Sequence, residues 1–212
     1  MSISLGPGVY FTLNWLIISL LAFTLNVPLY YLSVEHRRLE TRFGVERGRR
    51  VGDALGLASG WGMFVYWAGI WVAPQNRFTL PFGASMIRLI GLDVTLAHLV
   101  ISVLFIAPAV FFGVGGVMEL GLRVSETHRP VAVVETGVYA YVRHPQYFGG
   151  FLAHVGVSVL LSARDSLLLS PVVLVLLYVV CRKEEAELVN EFGDEYAEYR
   201  ERVPMLLPRI KA

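Results

Sequence analysis

The sequence predicts an all-α, polytopic membrane protein of about five transmembrane helices. Hydrophobic residues make up 55% of its 212 positions and charged ones only 17%, which lies well toward the membrane class. The apolar residues gather into long runs, and about 20 such residues cross about 30 Å of hydrocarbon as a helix. The cations are also unevenly placed. With the N-terminus outside and five crossings, fifteen of the eighteen Lys and Arg face the cytoplasm, and only Arg77, Arg88 and Arg164 face outward. A net charge of +1 gives no general case for nucleic acid as a partner.

The first span is read over residues 9–32, with no basic region ahead of it that would mark a cleaved signal, so it is expected to be retained. Asn14 and Asn26 are its polar exceptions, expected to hydrogen-bond a neighbouring helix, and Pro28 is expected to kink its end. Residues 35–50 carry six arginines and suit anionic lipid headgroups. The second span covers 52–73, where repeated glycines allow close helix approach and Trp61, Trp67 and Trp71 suit the interface. Residues 74–83 read as a turn-rich connection, and 86–96 as a helical stretch that Arg88 and Asp93 keep from spanning.

The third span runs over 98–120 and is expected to bend at Pro108. Its Gly-Val-Gly-Gly at 113–116 follows no strand and precedes no Lys, so it reads as a packing surface rather than a phosphate loop. Residues 148–163 and 167–181 form a helical hairpin about Arg164-Asp165, its second helix running on to Glu191. Gly193 caps that helix, and a short amphipathic helix over 194–202 stops before Pro204. The single cysteine, Cys181, excludes an intrachain disulfide and reads as filler at a helix end. No metal site is expected.

Residues 135–150, ETGVYAYVRHPQYFGG, stand apart from this background. Pro145 disfavours helix at His144 and so marks a break before the next helix. Tyrosine rings, a guanidinium and an imidazole can stack on a flat ligand and hold a charged one. An interfacial aromatic belt beside inward-facing cations explains the same composition. His154, just past this stretch, reads either as a functional intramembrane ionisable group or as a hydrogen-bonded structural histidine.

GVYAYVRHPQYFGG resembles the motif of the isoprenylcysteine carboxyl methyltransferase family, grouped with the phospholipid methyltransferases. The second half of the pattern follows: Glu184-Glu185, Leu188, Phe192-Gly193, Tyr196, Tyr199, Arg202-Val203-Pro204 and Pro208. The resemblance covers roughly residues 131–210. The apolar runs give a three-helix membrane region over 1–120, and the resemblance implies a catalytic region over 121–212, the two joined in one bundle. It also implies methyl transfer from S-adenosylmethionine to a lipophilic, membrane-borne acceptor, with the cofactor site on the cytoplasmic face. Membrane lipid and a lipophilic or prenylated substrate are the partners this implies.

The resemblance places the cofactor among Val131, Val133, Val134, Tyr139, His144, Pro145, Gln146, Tyr147 and Glu184. Glu184 suits an ammonium or a ribose, while from the residues alone it reads as part of a solvated helix face. Family carboxyl methyltransferases carry a substrate-binding Arg where this chain has Val180. The nearest cation, Arg182, points to a different helix face. Arg182 or Arg143 would then hold an acceptor carboxylate, while an amine acceptor would need His144 or Glu185 as a base. A prenylcysteine carboxylate ranks first among acceptors, a phospholipid amine second and a small thiol third. A sterol-type reductase using a nicotinamide cofactor is a competing reading, against which Pro145 and Gln146 argue. A non-catalytic membrane scaffold is another, and it predicts no cofactor binding.

Overall fold

The computed structural model describes residues 2–4, 10–12, 14–89 and 91–208. The chain is mostly helical. Three of the described helices are long and apolar enough to cross a membrane: α1 (Trp15–Val34), α3 (Val45–Val72) and α4 (Leu96–Leu120). The first begins later than the sequence suggests. Tyr10–Thr12 forms a strand, β2, paired antiparallel with β1 (Ser2–Ser4), and Val9 lies outside the described residues. The late start has a local cause, because Asn14 caps α1 by accepting from the Leu16 N–H at 3.0 Å. Pro28 is accommodated inside the helix. Asn26 donates to the Ser59 carbonyl at 2.7 Å, so it ties α1 to α3.

The arginine-rich segment forms α2 (His36–Phe43) and the first turns of α3. Gly44 separates them at φ 80°, a conformation that costs glycine little. The two helices then pack so closely that a Cβ on Gly48 would lie 2.6 Å from the Glu40 backbone.

Residues 86–96 do not form a helix. Met86–Leu89 (β3) and Leu92–Thr95 (β4) make an antiparallel hairpin whose turn includes Gly91 at φ 82°. Alternation through β-branched Ile87 and Val94 suits a pleated ribbon. Arg88 and Asp93, read as obstacles to a span, face each other across its strands.

After α4 come α5 (Leu122–Thr127), a 3-10 turn at Gly137–Ala140, α6 (Pro145–Leu160) and the short α7 (Arg164–Leu168). α8 (Ser170–Phe192) and α9 (Asp194–Arg202) complete the chain, with Gly193 between them at φ 59°. Arg209 and Lys211, which entered the cation count, lie outside the described residues. The hairpin turn is anchored by the 74–83 connection, where the Arg164 N–H donates to the Asn76 carbonyl at 3.0 Å. α6, at 16 residues, and α8, whose second half is charged, are not among the helices long and apolar enough to span.

The core joins both ends of the sequence. Phe23, Val27 and Tyr30 of α1 pack with Met63, Trp67 and Ile70 of α3 and with Val173, Leu177 and Val180 of α8. His154 is fully buried beside this core. The indole N–H groups of Trp67 and Trp71 approach its Nδ1 at 2.9 and 3.0 Å, and its Nε2 faces the Ser166 carbonyl at 3.2 Å. Nδ1 therefore accepts and Nε2–H donates, which is the structural histidine of the two readings.

The Gly-Val-Gly-Gly stretch packs against α6. A Cβ on Gly149 would lie 2.5 Å from the Gly113 nitrogen and 2.7 Å from the Ala109 oxygen. Backbone cannot yield as a flexible side chain can. Gly149→Ala is expected to destabilise the fold by about 1–3 kcal/mol, read as a lower thermal midpoint in detergent.

Candidate active site

Both halves of the motif meet through backbone and side chain. The N–H groups of Arg143 and His144 donate to the carbonyls of Pro204 and Met205 at 3.0 and 3.1 Å. The Arg143 guanidinium donates from Nε to Glu185 Oε1 at 2.6 Å and from Nη1 to the Arg200 carbonyl at 2.8 Å, and Nη1 also reaches the Val203 carbonyl. Tyr199 OH donates to the Tyr139 carbonyl at 2.8 Å. Arg143 thus caps the end of α9 and pairs with a buried carboxylate. With its fork engaged internally, it is not a free anchor for an acceptor anion.

His144 sits where Pro145, at the first position of α6, forces the break. Its Nδ1 lies 3.1 Å from Glu184 Oε2, and its Nε2 lies 3.4 Å from Glu185 Oε1 without hydrogen-bond geometry. Tyr147 OH donates to Glu184 Oε1 at 2.9 Å, and the Tyr30 hydroxyl reaches the same oxygen. Burial alone would push His144 down. The adjacent Cys181 thiol and the two carboxylates outweigh it and hold the imidazole well above its ordinary value. Burial would likewise raise Glu184 and Glu185, but His144 holds both below the usual carboxylate range, with Arg143 assisting at Glu185. The arrangement is an imidazolium between two carboxylates, so neither His144 nor Glu185 is free to act as a base.

Glu184 opens onto a cavity that is partly open to solvent. Leu120, Val124, Val133 and Val134 give it apolar surface, and Tyr139, Pro145, Gln146 and Tyr147 line it beside His144. Gln146 is held by Ser125 Oγ at 3.0 Å. Two expected residues lie elsewhere. Val131 is 85% exposed and outside the lining, and Arg182 sits on the exposed face of α8. Glu185 lies behind the wall, while Val180, where the family Arg would stand, is sealed in the core.

Several residues in the site were not foreseen. Tyr30 comes from α1, and His128 lies at the end of α5 in left-handed geometry at φ 54°. The rings of Tyr30 and His128 are 4.3 Å apart. Ser33 Oγ donates to the Tyr30 carbonyl at 2.7 Å, so its oxygen accepts from His128 Nδ1–H at 2.9 Å. Burial pushes His128 down to about 4, leaving it neutral with Nε2 as an acceptor. His36 Nε2–H donates to the His128 carbonyl at 2.7 Å, and Arg129 pairs with Glu40 at 2.8 Å. The polar run before the motif, Ser125-Glu126-Thr127-His128-Arg129, was the available sign of this wall; Tyr30 had none.

Comparison with known proteins finds similarity in this region. Residues 94–190 match the isoprenylcysteine carboxyl methyltransferase (ICMT) family. The ICMT match takes in α4 to most of α8, including both sides of the His144–Glu184 contact. Protein-S-isoprenylcysteine O-methyltransferase of Schizosaccharomyces pombe is 41% identical over 87 residues, covering 41% of this chain and 37% of that protein. Its Homo sapiens counterpart is 42% identical over 89 residues, covering 41% and 30%. Methanethiol S-methyltransferase 1 of Bradyrhizobium diazoefficiens is 38% identical over 71 residues, covering 34% and 24%. The matches thus span about a third or less of the relatives' own lengths, with 37% the largest of these three. ICMT relatives are methyltransferases by name, so a methyl donor is the class of cofactor they imply.

Proposed function

We propose that this chain is an integral membrane methyltransferase that uses S-adenosylmethionine on a lipophilic acceptor, most like a prenylcysteine carboxylate. The observation that carries the proposal is the carboxylate of Glu184, oriented by His144 and Tyr147 and facing a cavity lined by apolar and aromatic side chains. These residues fit the cofactor: an anion for its cationic groups, tyrosine faces for its flat part, and a neutral His128 for a hydroxyl. Bound there, S-adenosylmethionine supplies a methyl carbon made electrophilic by its sulfonium. Glu184 holds the charge, Tyr139 and Tyr147 pack the ring, and the valine-rich wall keeps water from the reacting atoms. Charge placement supports five crossings with both motif halves on the cytoplasmic side, α6 and α8 serving as the short fourth and fifth.

The ion pairs of His144 and Glu185 bear on the acceptor. A carboxylate attacks a methyl carbon through an existing lone pair and needs no base, whereas a small thiol reacts as the thiolate after giving its proton to solvent. A phospholipid ammonium must first lose a proton, and both candidate bases are already paired. Val180 favours a second reading, a small thiol acceptor, because it leaves no arginine where the family anchors a carboxylate; relatives named methanethiol S-methyltransferase point the same way. A radiolabelled methyl-transfer assay offers a farnesylated cysteine analogue, phosphatidylethanolamine and a short alkanethiol side by side. Label in the farnesylated product is expected. Label in the thiol alone selects the second reading, and label in the amine lipid alone overturns both.

A further inference from the structure

We propose that Tyr30, on the first helix, is a positioning residue for Glu184, so that the N-terminal part of the chain helps build the binding wall. This deepens the function proposed above and rests on it. A glutamate side chain turns about three bonds, and one donor leaves its carboxylate free to rotate. Here the phenols of Tyr30 and Tyr147 meet Oε1 while His144 Nδ1 meets Oε2, so both oxygens are fixed. The Tyr30 ring is fixed in turn by the core that joins α1, α3 and α8 and by the His128 ring at 4.3 Å.

The phenol of Tyr30 is not needed for packing. Tyr30 is 1% exposed, and a hydroxyl at that depth costs free energy unless it is bonded. A phenylalanine would fill the same space without that cost. Its acceptor Glu184 and its neighbour Tyr147 both line the cavity, and among the described residues nothing else bonds this hydroxyl. The bond also joins α1 to α8 across 154 positions of sequence. Tyr30 lies well outside residues 94–190, so the family match assigns it nothing.

The test uses the full chain in lipid nanodiscs, with S-adenosylhomocysteine as the probe. Binding is measured calorimetrically and as a thermal shift against each variant's own ligand-free midpoint, which keeps a destabilised variant informative. Tyr30→Phe is expected to raise Kd about tenfold, the scale of one hydrogen bond to a charged group. In a Glu184→Gln background the same change is expected to move Kd less than twofold, because the anion it serves is gone. Phe23→Leu, elsewhere on α1 in the same core, is expected to lower the ligand-free midpoint and leave Kd unchanged. Wild-type binding with Tyr30→Phe within twofold of it, or an equal loss in both backgrounds, overturns the role of Tyr30 alone. Absence of binding by the wild type overturns the proposed function itself.

Discussion

Arg143→Ala is expected to unfold the junction between the two halves of the motif. Arg143 and Glu185 are 9% and 3% exposed at their side chains, so solvent screens the pair little. Removing the guanidinium leaves the Glu185 carboxylate buried beside His144 and uncaps the Arg200 carbonyl at the end of α9. Breaking a buried pair from one side costs about 3–5 kcal/mol when the remaining charge is uncompensated, and less here because Arg200 Nε stays 3.4 Å from Glu185 Oε2. The expected readout is a large fall in thermal midpoint together with proteolytic release of the segment after α8. Arg143→Lys recovers only part of the loss, because an ammonium cannot reproduce the guanidinium fork. A midpoint unchanged in Arg143→Ala would show that the contacts at Glu185, Arg200 and Val203 carry no stability.

His144→Ala is expected to weaken S-adenosylhomocysteine binding about ten- to a hundred-fold, the cost of one charge-assisted hydrogen bond at about 1.5–3 kcal/mol. The pH dependence of stability is equally specific to His144. A raised imidazole pKa contributes fully below the unfolded value near 6.5, and that contribution fades only as pH rises through the raised folded value. The depressed carboxylates of Glu184 and Glu185 contribute above roughly 4.3, and lose that as pH falls through their lowered folded values. Thermal stability of the ligand-free chain should therefore be level from about pH 5 to about pH 6.5, with its alkaline limb displaced well above 6.5. In His144→Ala that alkaline limb should vanish. An alkaline limb centred near 6.5 in the wild type would mean that His144 is not held as an imidazolium.

Much of this was legible in the sequence wherever one residue decides a local geometry. Pro145 announces the break at His144, Gly193 the end of α8, and the glycines at 113–116 the close helix contact. Asn26 in an apolar run had to find a partner, and found one in Ser59. What the sequence hides is made by tertiary contact. Arg143 looks like an anion anchor until the carbonyls of Arg200 and Val203 fold onto it. Tyr30 is an ordinary aromatic in an apolar helix until α8 brings Glu184 to its hydroxyl. Arg88 and Asp93 argued against a span without revealing that they face each other across a hairpin. Val180 was visible as a departure from the family pattern, but only the core shows that no cation replaces it there.

Calorimetric titration of the wild-type chain in lipid nanodiscs with S-adenosylhomocysteine tests the central claim most directly. The account predicts saturable binding at one site per chain, competed by S-adenosylmethionine and weakened when Glu184 is replaced by Gln. No heat and no thermal shift at millimolar ligand would contradict it.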